Sequence, residues 1–427
     1  MADKESQSTT AVLENTPEPT PFEVPDGGFV AWRTVAGAWL VLFATFGFAF
    51  TFGVYEDYYV RVFLTNHTPS SIAWIGSVQL MMPFLLAPVS GKIFDDGGFH
   101  AIEIVGGLIF TFSVFMLSLC KENHYYQIFL AQGVGMGIGL GLTMLPSISI
   151  VVHHFKRHRG LTSGIVLSGT SIGATLFSIM TNHLLPRVGF AQTIRLTGAI
   201  ISPVLVIGNL MMSTRLPSRS KRGGNMAPPD VKSFFVDLPY MIAVAGMFIG
   251  VLGLYFPLVY IQLFSVQHNI NNTLAFYSIS ILNVSGAFVR VLANHWADVY
   301  GAFNVQVVCA ICSGAFIWAI LGIHDGASLI SISFFYGAFS SAYLSLAFAC
   351  FSSLAKGPQE VGARVGIALA LSSLGTLFSA PIQGALLTSE YHWIRPVAFA
   401  ATVTFVSGVC SFLTRTLHAK RTSNWRA

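Results

Sequence analysis

Arg290 stands inside the apolar run "SILNVSGAFVRVLANHW", with Asn283 seven residues before it and Gly286 between them. Seven residues are two helical turns, so Asn283 and Arg290 share a helix face and Gly286 leaves open space beside them. A guanidinium offers a planar fork of N–H donors that matches a carboxylate, and in a low-dielectric setting that contact strengthens. The expected chemistry is anion or polar-group binding at Arg290 and Asn283. The alternative is an Arg capped by carbonyls and Asn side chains for structure alone. Tyr336 and Tyr343 join them as expected binding residues, and Tyr255, Ser372 and Gln383 are further polar groups on apolar helices. Such hydroxyls and amides also serve packing and helix–helix hydrogen bonding.

Acidic residues supply a second chemistry. Glu56 and Asp57, in "YEDYY", are the nearest carboxylates for proton coupling, or else solvated loop groups. Asp95 in "GKIFDDGGF" and Asp298 in "NHWADVYGAF" follow apolar runs, as gating carboxylates that meet a helix N-terminus do. Glu103 is expected at the inner end of a span, so no carboxylate is expected deep in a helix. Arg157 and Arg159 lie in "HHFKRHRG", a basic cluster expected to act in gating as well as topology. Cys309 and Cys312 form a CxxC with no further ligands nearby, so neither metal nor cofactor is expected.

Only one kind of scaffold can position these groups. Hydrophobic residues make up 53% of the 427 residues and charged ones 10%, too little polar surface for a soluble chain. Apolar runs of bilayer-spanning length fall at 34–54, 71–90, 101–119, 126–152, 161–181, 192–214, 239–263, 274–294, 303–323, 328–353, 365–387 and 394–414. Twelve such runs predict an all-α membrane protein, because helices satisfy their own backbone in lipid. With the N-terminus inside, seventeen Lys and Arg fall in inner segments and five in outer ones, which predicts cytosolic termini. The sequons at Asn66 and Asn271 then lie outside, as candidate glycosylation sites.

The chain also repeats. Asp95 and Gly98 correspond to Asp298 and Gly301 at an offset of 203, and the run from Gly164 to Gly173 corresponds to Gly366–Gly375 at 202. The expected organisation is a disordered tail and helix entry (1–33), a six-helix half (34–214), a cytosolic linker (215–238), a second half (239–414) and a basic tail (415–427). Parallel six-helix repeats are the build of major facilitator transporters, with the substrate near the midplane between halves.

"HFKRHRGLTSGIVLSGTSIG" (154–173) resembles the fifth-helix signature of monocarboxylate porters, with Arg157, His158, Arg159, Leu161, Gly164, Gly169 and Gly173 in register. "PDGGFVAW" (25–32) and "APIQGAL" (380–386) resemble the fungal branch of that family. The resemblance implies a secondary transporter of a small organic solute, a carboxylate or other polar metabolite, working by alternating access as a monomer in the plasma membrane. It implies that Arg290 meets substrate. Gly286 stands where proton-coupled animal members carry an Asp, and Val54 or a neighbour stands where they carry a Lys. Export of a fungal secondary metabolite and substrate sensing without transport are the alternatives. A membrane enzyme lacks its His/Asp/Glu cluster, a nucleotide-driven pump its GxxxxGK[ST] loop, and nucleic acid is not an expected partner.

Overall fold

The computed structural model describes residues 26–215, 230–356, 360–388, 391–423 and 425. Residues 1–25 of the expected tail, 216–229 of the expected linker and three of the last four residues lie outside the described residues. Among the described residues, eleven helical runs are long and apolar enough to cross a bilayer. They are Phe29–Phe63 (α1), Ser70–Asp95 (α2), Phe99–Leu117 (α3), Tyr125–His153 (α4), Arg159–Met211, Leu238–Gln267 (α7), Thr273–Tyr300 (α8), Ala302–Gly322 (α9), Gly326–Ser353 (α10), Val361–Leu387 (α11) and Ile394–Thr422 (α12). The Arg159–Met211 run has 53 residues, about 80 Å of helix, far more than a bilayer's ~30 Å core. Gly189 breaks it at φ 78°, ψ 173°, a conformation that glycine adopts without steric cost. This leaves α5 over 159–188 and α6 over 190–211, so the described residues hold the twelve expected spans.

The outward faces of these helices are apolar. Leu108, Phe112, Leu210 and Phe288 are all more than 60% exposed, as lipid contact requires. Inside, small residues decide how closely helices approach. A Cβ on Gly173 of α5 would lie 2.3 Å from the Phe43 carbonyl oxygen of α1, and one on Gly169 would lie 2.6 Å from that of Trp39. The same helix turns Gly160 and Gly164 toward α8, where a Cβ on Gly164 would come within 2.9 Å of the Arg290 carbonyl oxygen. The small-residue run that follows the basic cluster thus fits one helix against two neighbours, one in its own half and one in the other.

Two spans are interrupted at mid-depth. α1 loses regular helix between Ala49 and Phe52, and α7 between Leu254 and Phe256. In α7 the cause is Pro257, which lacks an N–H and crowds the preceding turn. The freed carbonyls find partners on other helices. Leu254 O accepts from the Tyr336 hydroxyl, and Leu252 O accepts from Ser379 Oγ at 2.9 Å and from the Gln383 amide. Irregular backbone at this depth survives only with such substitutes, and in transporters it accompanies a cavity.

Candidate substrate site

Arg290 projects from α8 into the space between the two halves and is 6% exposed. Its Nη1 donates to the Leu167 carbonyl of α5 at 3.0 Å and to the Thr170 hydroxyl. Its Nε has no hydrogen-bond partner. The one cation at this depth therefore holds two neutral acceptors from the opposite half and no anion among the described residues. An intramembrane Arg costs at least about 2.5 kcal/mol on insertion scales, so a site that keeps one half-satisfied is a functional site by default.

Two cavity lobes meet at this residue. One is walled mainly by Leu42, Phe46, Phe84, Met144, Leu344 and Phe348. The other carries Asn283, Tyr336, Ser340 and Ser341 among apolar residues. Phe50 and Tyr255, at the interruptions of α1 and α7, border both. The site thus joins one charge to a greasy chamber on one side and a hydroxyl-bearing chamber on the other. Asn283 shares the wall with Arg290, with its Nδ2 donating to Ile279 O at 3.0 Å. Tyr336 also lines this wall, although its hydroxyl is engaged by the α7 break.

Tyr343 corrects the expectation. It points into the interior of the second half, lines a separate void with Gln306, Cys350 and Ser411, and bonds Ser407. The serines of α10 are spread all round the helix, so its sequence does not tell the cavity side from the packed side.

At the end expected to face the cytosol, the two halves meet on a repeated motif. The Asp298 carboxylate accepts from the backbone N–H groups of Gly160 and Leu161, both at 3.1 Å, at the start of α5. In the other half's copy, the Asp95 carboxylate lies against the start of α11, 2.9 Å from where a Cβ on Gly362 would be. Each carboxylate meets a helix N-terminus of the opposite half, where N–H groups and the helix dipole favour negative charge. Arg157 and Arg159 are exposed beside this seam, and the Arg159 guanidinium turns back onto Phe155 O at 3.0 Å. Their loop is held from below. Asp26, just before α1, accepts from the backbone N–H groups of Lys156 and Arg157, and these bonds hold its carboxyl below the usual range.

The other expected residues sit farther out. Asp57 pairs with Arg61 one turn away on the exposed surface, so its charge is matched there and not at the cavity. Glu56, on the same turn, is partly buried and within electrostatic reach of Tyr260 on α7. Asn66 is exposed in the α1–α2 connection. Asn271 caps α8, its side chain accepting from Thr273 N at 2.8 Å.

Two buried charged groups were not expected. Glu103 is fully buried in α3, accepts from Ser147 Oγ of α4 at 2.7 Å, and leaves Oε2 without a partner. A carboxylate four residues into a span reads as interfacial, but the close α3–α4 packing around Gly106 and Gly139 shuts water out. Arg364 is fully buried at the start of α11, so Arg290 is not the only buried Arg. Its Nη1 meets Asp237 at 2.7 Å and its Nε meets Glu360 at 2.9 Å, with the Phe234 ring 4.6 Å from the guanidinium. This cluster, in which the Arg364 Nη2 lacks a hydrogen-bond partner among the described residues, ties α7 to α11 within the second half. The signal in the sequence was the pair of opposite charges at the inner starts of two spans.

Comparison with known proteins matches residues 34–356 to the Major Facilitator Superfamily. An aspyridones efflux protein of Emericella nidulans is 34% identical over 412 residues, 96% of this chain and 82% of that protein. The MFS-type transporter pynF of Aspergillus niger is 30% identical over 98% of this chain and 97% of its own length. In fold, the chain is similar to a D-xylose–proton symporter at a TM-score of 0.66 and 15% identity, covering 90% of this chain and 97% of that one.

Proposed function

The chain belongs to the Major Facilitator Superfamily, and from that premise we propose that it exports a small organic anion with an apolar body by alternating access. Membership makes it a multi-pass membrane transporter and not an enzyme. The observation that carries the cargo class is the half-satisfied Arg290 at the junction of the two lobes. A carboxylate or other acidic group seats on the guanidinium, and the apolar lobe walled by both halves takes the apolar remainder. Asn283 supplies a neutral polar contact on the same wall. The likeness to the fungal branch of monocarboxylate porters supports an anion at this Arg.

Export is supported by the efflux named for the Emericella relative. It is also supported by the absence, among the described residues of the cavity wall, of a carboxylate beside Arg290 that a proton symporter would need. Glu56 is the carboxylate nearest to a coupling position, at the outer approach between α1 and α7. Asp95 and Asp298 close the inner gate, and Arg157 and Arg159 keep the intervening loop on the cytosolic side. The plasma membrane is the expected location, since cargo exported there leaves the cell.

The test is reconstitution. Proteoliposomes carrying the full chain are loaded with a panel of radiolabelled aromatic and aliphatic acids, and exit is compared with that from Arg290→Gln vesicles holding equal protein. Wild-type exit that Arg290→Gln abolishes is the expected result. Equal exit from both would return Arg290 to a structural role.

A further inference from the structure

We infer that Thr170, on the opposite half from Arg290, is a positioning residue that aims the guanidinium at the cargo. The inference rests on the anion reading of Arg290 given above. The geometry behind it is a triangle. Thr170 Oγ1 donates to the Leu167 carbonyl at 2.8 Å, and Arg290 Nη1 reaches both the hydroxyl and the carbonyl. With its proton committed to Leu167, the Thr170 hydroxyl has only lone pairs left to face the cation. It therefore serves Arg290 as an acceptor fixed in direction.

A guanidinium held at Nη1 keeps its other edge open. Nε has no partner, and Nη2 makes no hydrogen bond among the described residues. Nε–H and the neighbouring Nη–H form the fork that grips a carboxylate through two parallel bonds. Arg side chains have several rotatable bonds, and an unpinned one would place this fork in many directions. Pinning one corner from α5, with the stem fixed in α8, leaves the planar group a single orientation. Thr170 and Leu167 therefore hold the part of the guanidinium that the cargo does not use.

The pin crosses between halves. It lies on the same α5–α8 seam as the Asp298 contacts to Gly160 and Leu161 and the close approach at Gly164. While that seam is shut, the fork is therefore held in a fixed direction from the opposite half. The direction of the fork is thereby set from the opposite half through one hydroxyl, on a residue that also borders the apolar lobe.

The experiment uses purified full-length protein in lipid nanodiscs, with benzoate and its uncharged counterpart benzamide as probes, each titrated by intrinsic tryptophan fluorescence. Wild type is expected to prefer benzoate. Thr170→Val, which keeps the shape and removes the hydroxyl, is expected to weaken benzoate roughly tenfold, the size of a lost hydrogen bond to a charged group. Benzamide binding should not move, and Thr170→Ser should restore the preference. A Thr170→Val protein that binds benzoate like wild type, or more tightly, overturns the inference. So does equal loss of both probes without rescue by Ser, which would mark a packing role. If wild type shows no preference for benzoate, or Arg290→Gln keeps the preference, the anion reading falls and this inference falls with it. If Arg290→Gln loses the preference and Thr170→Val does not, only the role of Thr170 is lost.

Discussion

Asp298→Asn should open the inner gate, and the size of the effect follows from two contacts. The native carboxylate accepts from two successive N–H groups at the start of α5, both at 3.1 Å. Asn has one acceptor oxygen, so one of these contacts is lost, together with the negative charge facing the helix dipole. Carboxylate contacts at a helix N-terminus are worth about 0.5–2 kcal/mol, and dipole terms about 0.3–1 kcal/mol at exposed positions. Asp298 is exposed, so the total belongs near 1–2 kcal/mol and not in the range of a buried ion pair. That corresponds to a ~5- to 30-fold shift toward the inner-open state. Spin labels at Lys156 and Tyr300, both exposed on either side of the seam, report the change as a distance distribution in nanodiscs. The long-distance population should grow by that factor, and the affinity of the fully closed state should not be the first quantity to change. A distribution indistinguishable from wild type would refute the gate assignment, because the contact would then contribute nothing to closure.

Two further outcomes follow from groups at the periphery of the site. Glu103 has one donor, Ser147, and among the described residues no ion pair includes it. Glu103→Gln should therefore melt within a few degrees of wild type by differential scanning fluorimetry, whereas Glu103→Lys, which buries an unmatched cation, should fail to reach the membrane. His154 is buried at the end of α4 with Nε2 2.7 Å from Ser213 O, and burial holds its pKa below the ordinary 6.5. A depressed folded-state value means stability that is present above 6.5 and lost as pH falls below it. Wild type should accordingly lose melting temperature between pH 7.5 and 5.5, and His154→Gln should lose less; parallel slopes would show that His154 is not responsible.

Much of this architecture was legible because lipid imposes simple rules. Length and hydropathy alone set twelve spans, and the 203-residue recurrence of Asp95 at Asp298 placed both inner-gate carboxylates beside helix starts. Arg290 stood out because a charge in an apolar run needs a partner or a wet cavity. Side-chain direction was less accessible. Lipid and protein interior are both apolar, so α10 has no polar face to say that Tyr336 borders the cavity while Tyr343 does not. Burial near helix ends was also hidden. Glu103 and Arg364 lie a turn inside their spans, where sequence alone cannot separate a solvated residue from one closed over by a neighbour. Thr170 looked like one of many small polar residues in α5, and its acceptor role exists only because α8 is packed against it.

If the proposed gate holds, the paired carboxylate contacts at the expected inner face would behave as two bolts that must both be drawn. Asp95 against α11 and Asp298 against α5 are on opposite sides of the approximate twofold axis, and each joins a different pair of helices. Thermal release of one leaves the other shut, so the halves swing apart only when both are undone together, and the probabilities of release multiply. A modest contact, doubled by the repetition of the chain, would thereby make leakage through the proposed inner gate rare without making any single bond hard to break.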